Sequence, residues 1–243
     1  MKPMLSFVAM LCLAIIVIPS YSYGKTPTPP SCTGFKTYTQ GGWGAKANGN
    51  NPGVYRDANF AAAFPSGLTM GCTGGNKLVL TSAQAVEDFL PSGSTPDVLP
   101  AGTLTNPGGS YSNVLAGQLE AAMLNVGFDL YDPNFSSNAI HTGDLTITSG
   151  TFAGMTINQL IAEANSVIGG CTSTYTTADL NVALTAFNEN YDNGTTDNGY
   201  TNCTPTCNIA VSGTKANITC HGSANGSINI TVTGNNGTVS YLW

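Results

Sequence analysis

Residues 113–132 read NVLAGQLEAAMLNVGFDLYD, and this stretch predicts the element around which the rest of the chain folds. Its apolar residues recur at steps of three and four, which places them on one stripe of an α-helix. The stripe contains Leu115, Leu119, Ala122, Met123, Val126 and Leu130. Glu120 and Asn125 fall outside its densest part. Such a stripe has to be buried, so we expect a compact domain with this helix at its centre.

Further helices with matching apolar patterns could cover the central one. Residues 81–90 and residues 156–168 each begin with Thr-x-x-Gln, the spacing of a capping box at a helix N-terminus. Another helix is capped by Thr176 or Thr177. Its stripe contains Leu180, Ala183, Leu184, Phe187 and Tyr191. A shorter helix is predicted at residues 57–64, where a Pro-Ser-Gly sequence ends it.

Short strands and one long loop fill the intervals between these helices. Short apolar or alternating runs predict strands at residues 36–39, 77–80 and 145–148. Residues 91–110 are rich in Pro, Gly, Ser and Thr and predict a long loop. A loop of that length in a compact domain is either functional or mobile.

Residues 1–24 have the features of a secretory signal peptide. Lys2 precedes an apolar run over residues 5–18, and small residues follow at plausible cleavage positions. A membrane anchor is the alternative, but the run is shorter than the roughly 20 residues that span a bilayer. Residues 25–31 form a Pro-rich linker. We therefore expect a secreted or cell-surface protein with no transmembrane span after signal removal.

Cysteine usage agrees with export. Removing the signal leaves six cysteines, namely Cys32, Cys72, Cys171, Cys203, Cys207 and Cys220. An even number in an exported chain indicates disulfide bonds. The first four flank or lie within residues 32–203 and allow three pairings, of which Cys32 with Cys203 is favoured because it would tie the domain ends together. A metal is the weaker interpretation, since Cys203 and Cys207 have no second pair at zinc-finger spacing.

Charge and motif content argue against several function classes. Charged residues are 8% of the chain and acids outnumber bases 13 to 7, so nothing resembles the basic footprint of a nucleic-acid-binding protein. The two histidines, His141 and His221, belong to no zinc-protease motif, and the sequence has no nucleophile-elbow or phosphate-loop motif. We therefore expect a protein that is not an enzyme.

Paired carboxylates keep one enzymatic alternative open. Asp129 and Asp132 close the central helix, and Glu87 and Asp88 lie on another helix. Glycosidase chemistry needs two carboxyl groups about 5 to 9.5 Å apart in a cleft, which spacing along a helix does not establish. Solvated acids at helix ends are the simpler explanation.

Aromatic residues in a Gly- and Asn-rich segment are the candidate ligand-binding residues. Tyr38, Trp43 and Tyr55 lie within residues 35–55, where rings presented on a loop could stack on sugars. The competing interpretation, that Trp43 fills one end of the core, is favoured.

Calcium is the one candidate cofactor. Asp192 and Asp197 each begin an Asp-Asn-Gly sequence after the last predicted helix, and their oxygen atoms are ligands of the type that Ca²⁺ takes. The segment lacks the length and the terminal Glu of an EF-hand loop. Turn formation explains Asn-Gly equally well.

From residue 207 the periodicity changes from helical to alternating. Ile228, Ile230 and Val232 alternate with polar residues, the pattern of a half-buried strand. Characteristic sequences follow one another here: CHGSANGSI at 220–228, ITVTG at 230–234 and YLW at 241–243. Residues 207–243 thereby resemble the start of an SprB-type repeat. They depart from the family in having Gly-Asn-Asn-Gly where it often has Gly-Gly-x-Pro-Pro.

This resemblance implies an Ig-like β-sandwich repeat, of a kind that occurs in tandem in large surface proteins of gliding and other Bacteroidota-type bacteria. A sandwich usually needs about 100 residues, so we expect the native chain to continue beyond Trp243. Residues 37–200 also look like a head module of such proteins. The resemblance implies export by a type IX-like route and display at the cell surface, and it leaves the pairing of Cys207 with Cys220 open.

The sequence therefore predicts an α+β protein in two parts. Residues 32–203 would form a mainly helical head domain with a few short strands, and residues 207–243 a truncated Ig-like β-sandwich repeat. The leading functional hypothesis is an exported adhesin or binding module whose head binds a glycan, a surface or another protein. The alternatives are a secreted carbohydrate-active enzyme with accessory β-domains and a purely structural spacer.

Overall fold

The computed structural model describes residues 32–203, 210–216 and 225–233. The predicted signal peptide, the Pro-rich linker, Cys207 and Cys220 lie outside the described residues. Within these ranges the fold is mixed α and β, as the sequence predicts. The division of the chain into a head and a repeat stays a prediction.

The helices and strands alternate irregularly along the chain. The helices are α1 Gln40–Trp43, α2 Pro52–Ala63, α3 Ala83–Phe89, α4 Val114–Tyr131, α5 Ile157–Ile168 and α6 Thr177–Asn190. The strands are β1 Leu68–Gly71, β2 Lys77–Leu80, β3 Thr103–Thr105, β4 Thr146–Ile147, β5 Thr201–Asn202, β6 Ala210–Ala216 and β7 Ser227–Thr233. Short 3₁₀ turns occupy Gly108–Ser110 and Thr142–Asp144.

α4 is the predicted central helix, and it is buried on more sides than its apolar stripe indicates. The side chain of Asn113 caps it by accepting hydrogen bonds from the backbone N–H groups of Leu115 and Ala116. α1, α2, α5, α6 and β1 all contact α4. Glu120 and Asn125, which the stripe leaves outside, are therefore fully buried as well.

The last turn of α4 departs from the prediction in the opposite direction. Leu130, which the sequence pattern assigns to the buried stripe, is 68% exposed. Phe128 and Asp129 are buried there instead, so the buried face has shifted by one to two residues. A prediction based on strict three-and-four spacing misses such a shift, because it assumes that the same face is buried along the whole helix.

The N-termini of α5 and α6 are confirmed in detail. Thr156 accepts a hydrogen bond from the N–H of Gln159, whose side chain bonds back to the N–H of Thr156, which completes the capping box. Thr176 rather than Thr177 caps α6. The α6 stripe is buried as predicted.

The predicted capping box of α3 is wrong. Ser82, not Thr81, accepts the hydrogen bond from the N–H of Ala85 and begins the helix. Thr81 is engaged elsewhere, because its N–H donates to Oδ1 of Asn106 at 2.9 Å and its hydroxyl accepts from Nδ2 at 2.8 Å. Thr81 thus ties the start of α3 to the end of β3.

α2 begins five residues before its predicted start. Asn51 caps it by accepting from the N–H of Val54, and Pro52 occupies the first helical position. Proline suits this position, because its missing N–H would have no partner inside the helix. The earlier start places Arg56 within the helix, facing the core.

The strands form small sheets around the helices. β2 pairs antiparallel with β1 and parallel with β3. β3 lies inside residues 91–110, so the predicted loop is interrupted by a strand and a 3₁₀ turn. The predicted strand at 36–39 is reduced to a single bridge between Thr37 and Asp192. β4 confirms the strand predicted at 145–148 and pairs antiparallel with β5.

Two disulfide bonds close the described part of the chain. Cys32 bonds to Cys203 with their Cα atoms 5.3 Å apart, and Cys72 bonds to Cys171 with their Cα atoms 6.4 Å apart. The favoured pairing of Cys32 with Cys203 is confirmed. It joins the first residue after the linker to the end of β5.

β7 confirms the strand predicted from the alternation of Ile228, Ile230 and Val232, and it pairs antiparallel with β6. The half-buried face predicted for this strand is wrong at Ile228, which is 65% exposed, whereas Ile230 is half-buried. The Ig-like sandwich implied by the resemblance stays a prediction.

Candidate functional site

The three predicted ligand-binding aromatic residues belong to one aromatic cluster at the edge of the core. Trp43 is fully buried, and its ring stacks on Phe135 and meets Tyr38 edge to face. Trp43 therefore fills the core, the interpretation that the sequence favours. Tyr38 and Tyr55 are half-buried, so a role for them in ligand binding stays a prediction.

The tyrosines of this cluster pack against the core while part of each side chain stays exposed. The hydroxyl of Tyr55 donates to Asp132 at 2.8 Å. Burial, followed by this hydrogen bond, raises the pKa of Tyr55 above its ordinary value. Burial also raises the pKa of Tyr38, with a smaller contribution from Asp192. Both tyrosines therefore remain neutral hydroxyls near neutral pH.

Asn125 satisfies the polar groups beneath the cluster. Its Oδ1 accepts from the N–H of Tyr38 at 2.8 Å and from Nε1 of Trp43 at 3.0 Å. Its Nδ2 donates to the carbonyl of Tyr38 and to Oδ1 of Asn188, each at 3.0 Å. Asn125 thus ties α1 and α6 to α4, which explains why an amide lies where the stripe analysis expects solvent.

Arg56 is the centre of a second buried network. Its guanidinium donates to the carbonyls of Trp43 and Ala45 and pairs with Glu87 at 2.5 Å and with Asp57. The side chain is fully buried. These partners engage the guanidinium from several sides, so Arg56 joins α2, α3 and the segment after α1.

Glu120 lies fully buried on α4 and neither of its carboxyl oxygens has a hydrogen-bond partner among the described residues. Burial raises its pKa well above the ordinary value of 4.5, and the positive charge of Arg56 offsets part of that shift. The folded protein therefore keeps a proton on Glu120 at pH values where the unfolded chain has released it. Stability from this group is complete below pH 4.5 and is lost as the pH rises through the raised pKa.

Glu120→Gln should stabilise the protein at pH 7 by about 1–3 kcal/mol, because the neutral amide removes this pH-linked loss. Urea unfolding of both proteins between about pH 4 and 8 measures the effect. The gain should be near zero at the acid end and should grow towards the alkaline end. Glu189→Gln makes the same chemical change on the exposed face of α6 and should leave stability unchanged. A gain that does not vary with pH would contradict the burial of an unpartnered carboxyl group.

The remaining candidate acids are engaged in local structure. Oδ2 of Asp129 accepts from the N–H of Thr142 at 2.7 Å, and Nδ1 of His141 lies 3.4 Å from it. Asp197 accepts from the N–H of Gly199, within its own turn. In the part of the chain that the structure describes, no three His, Cys, Asp or Glu side chains group as metal ligands. Calcium binding at Asp192 and Asp197 stays a prediction.

Two surface clefts formed by described residues bear on ligand binding. The first, the α4–α5 groove, encloses about 250 Å³ and is almost wholly apolar. Its lining includes Phe64, Leu68, Met123, Val126 and Ile161. The second, the α6 cleft, encloses about 230 Å³. It is lined by Ser149, Gly150, Thr151, Phe152, Asp179, Val182, Ala183 and Tyr200.

Three segments of the chain build the α6 cleft. Asp179, Val182 and Ala183 are spaced by three and four residues and so share one face of α6. The turn after β4 supplies residues 149–152. Thr148 holds the Tyr200 segment against this turn, because its N–H donates to the carbonyl of Tyr200 at 3.0 Å. None of these segments carries a sequence motif, so the cleft could not be predicted from the sequence.

The lining of the cleft combines apolar and polar side chains. Val182 is 69% exposed beside the half-buried ring of Tyr200. The hydroxyl of Tyr200 has no hydrogen-bond partner among the described residues, and burial raises its pKa to about 12. Oδ2 of Asp179 accepts a hydrogen bond from the hydroxyl of Thr176 at 2.7 Å, which holds the carboxylate in place. Ser149 and Thr151 add hydroxyls.

Comparison with known proteins identifies the C-terminal segment. Residues 212–243 match the family model of the SprB repeat, which confirms the resemblance over those residues. The repeat is typical of cell-surface proteins. No curated protein and no solved structure matches the chain. Over the ranges that the structure describes, none of the helices is both long enough and apolar enough to cross a bilayer.

Proposed function

We propose that this chain is an exported cell-surface protein whose residues 32–203 form a non-enzymatic binding head, displayed on SprB-type repeats. The observation that carries the proposal is the repeat match at residues 212–243, because such repeats are typical of surface proteins. The two disulfide bonds of the head support export, since disulfides persist in oxidising compartments outside the cytosol.

The placement of the carboxylates favours binding over glycoside hydrolysis. A glycosidase needs two carboxyl groups facing one cleft. Among the residues that the structure describes, Asp179 is the one carboxylate that lines the α6 cleft, and no acid lines the α4–α5 groove. Glu87 is paired with Arg56, and Asp132 accepts from Tyr55. These engaged carboxylates support a role in structure rather than in proton transfer.

The test is to apply the oxidised chain to arrays of immobilised glycans and of extracellular proteins. We expect saturable binding to at least one class of ligand. The same chain, reduced and alkylated, controls for adhesion of the unfolded polypeptide. Binding to neither array would contradict a binding head and would favour a structural spacer. Turnover of an array glycan would contradict the non-enzymatic part of the proposal.

A further inference from the structure

We propose that the α6 cleft is a binding subsite for one neutral saccharide ring. This deepens the proposed function, since it rests on the head being a binding module and names the place and the chemical class of its ligand. The size of the cleft, the chemistry of its lining and the charges around it support this assignment.

The size of the cleft restricts the occupant. Its volume of about 230 Å³ lies below the roughly 300–1,000 Å³ of pockets that hold drug-sized ligands. One six-membered sugar ring or one amino-acid side chain has a volume that fits the cleft. A longer chain would have to continue out of the cleft across the surface of α6.

The lining matches the two kinds of surface that a sugar ring presents. A sugar ring has faces of C–H groups and a periphery of hydroxyls. Val182 and the ring of Tyr200 offer apolar surface to the faces, as ligand sites with aromatic walls do. Asp179, Ser149 and Thr151 also line the cleft and supply acceptors and hydroxyls for the periphery. The unpartnered hydroxyl of Tyr200 can both donate and accept.

The exposed side chain of Val182 is part of the surface that lines the cleft. Its neighbours on α6, Leu180 and Leu184, are buried in the core, whereas Val182 is 69% exposed. A single exposed valine is ordinary on a protein surface. Here it borders a cleft that also contains an unpartnered hydroxyl and a fixed carboxylate, and the three features together make a site.

Charge selects neutral sugars over acidic ones. The lining that the described residues provide contains no Lys, Arg or His, and its one charged side chain is Asp179. A sialic acid or a sulfated sugar would meet a like charge in the cleft without a cation to offset it. The chain as a whole carries a net charge of −6, which adds to this discrimination.

Nuclear magnetic resonance titration of the oxidised full chain tests the site. The ¹⁵N-labelled protein is titrated to about 50 mM, well above the millimolar affinity that a few contacts give, with glucose, galactose, mannose, N-acetylglucosamine and N-acetylneuraminic acid. We expect at least one neutral sugar to shift the amide signals of residues 149–152, 179–183 and 200. N-acetylneuraminic acid should bind at least tenfold more weakly.

Two variants localise the effect. Val182→Glu places a charge at an apolar position of the lining and should weaken binding at least tenfold. Leu130→Glu is the matched control, because Leu130 is as exposed as Val182 but lies outside the lining, and it should leave affinity unchanged. Tyr200→Phe removes a hydroxyl without a partner in the described fold, so it should leave the fold intact and weaken binding about tenfold.

The outcomes separate this inference from the proposed function. Signal shifts confined to another surface, or binding that Val182→Glu leaves unchanged, would overturn the subsite while keeping a binding head. Absence of any sugar response together with binding on the protein array would overturn the saccharide class and retain the head. Preferential binding of N-acetylneuraminic acid would overturn the selection for neutral sugars.

Discussion

Arg56→Met is expected to lower the free energy of unfolding by about 3–5 kcal/mol, the cost of removing one partner from a buried ion pair. The substitution keeps an apolar stem of similar length. It leaves the carboxylate of Glu87 and the carbonyls of Trp43 and Ala45 without their donors in the interior. A loss of this size is a large fraction of the roughly 5–15 kcal/mol that stabilises a typical domain.

Urea unfolding at pH 7 measures this effect. Lys46→Met is the control, since it removes one positive charge from an exposed position near the same segment and should change stability little. Arg56→Lys keeps the charge but lacks the planar set of donors with which the guanidinium reaches four acceptors. Its free energy of unfolding should therefore lie between those of the wild type and Arg56→Met. A loss in Arg56→Met no larger than that in Lys46→Met would show that the network does not hold α2 and α3 together.

Removing the bond between Cys32 and Cys203 is the second large expected effect. The paired substitution Cys32→Ala with Cys203→Ala should destabilise the protein by about 2–5 kcal/mol, because the crosslink restricts a long segment of the unfolded chain. The bonded residues are 171 apart in sequence for this bond and 99 apart for Cys72 with Cys171. Chain entropy depends only on the logarithm of loop length, so the two bonds should differ by about 0.5 kcal/mol.

Unfolding of the two double variants, each compared with the oxidised wild type, checks both statements. The losses in free energy of unfolding of the two double variants can be added and compared with the loss on full reduction of the wild type. If the sum equals that loss, the two bonds act independently. An unchanged unfolding midpoint after loss of the Cys32–Cys203 bond would contradict its role in closing the head.

The helices within residues 32–203 could be predicted because their signals are local. The α6 stripe from Leu180 to Tyr191 and the capping box of Thr156 with Gln159 depend only on residues within a few turns. The stripe of α4 also predicts its helix correctly. A stripe reports which face is most apolar, however, and it does not report how many neighbours surround the helix.

The buried polar groups could not be predicted for that reason. Asn125 is buried because its partners Tyr38 and Asn188 lie 87 and 63 residues away in sequence. Arg56 and Glu87 are separated by 31 residues. A single sequence gives the identity of each polar residue without its partner, so solvent is the expected environment. Glu120 shows the same limit, since no local feature marks it as a buried acid.

The α6 cleft could not be predicted from the sequence for the same reason. The α6 cleft is made by a turn after β4, one face of α6 and Tyr200, and only the fold brings these segments together. The sequence instead points to Trp43, whose ring the structure buries in the core. Aromatic residues in a Gly- and Asn-rich segment indicate a ligand surface only when the rings face solvent.

Equilibrium unfolding of residues 32–203 alone, oxidised, tests most directly the claim that a self-contained head precedes the repeat segment. We expect one cooperative transition with the midpoint that the same domain shows in the full chain, together with native Cys32–Cys203 and Cys72–Cys171 bonds by mass spectrometry. A fragment that stays unfolded, or whose midpoint falls far below that of the full chain, would show that residues beyond 203 complete the core and would contradict the account.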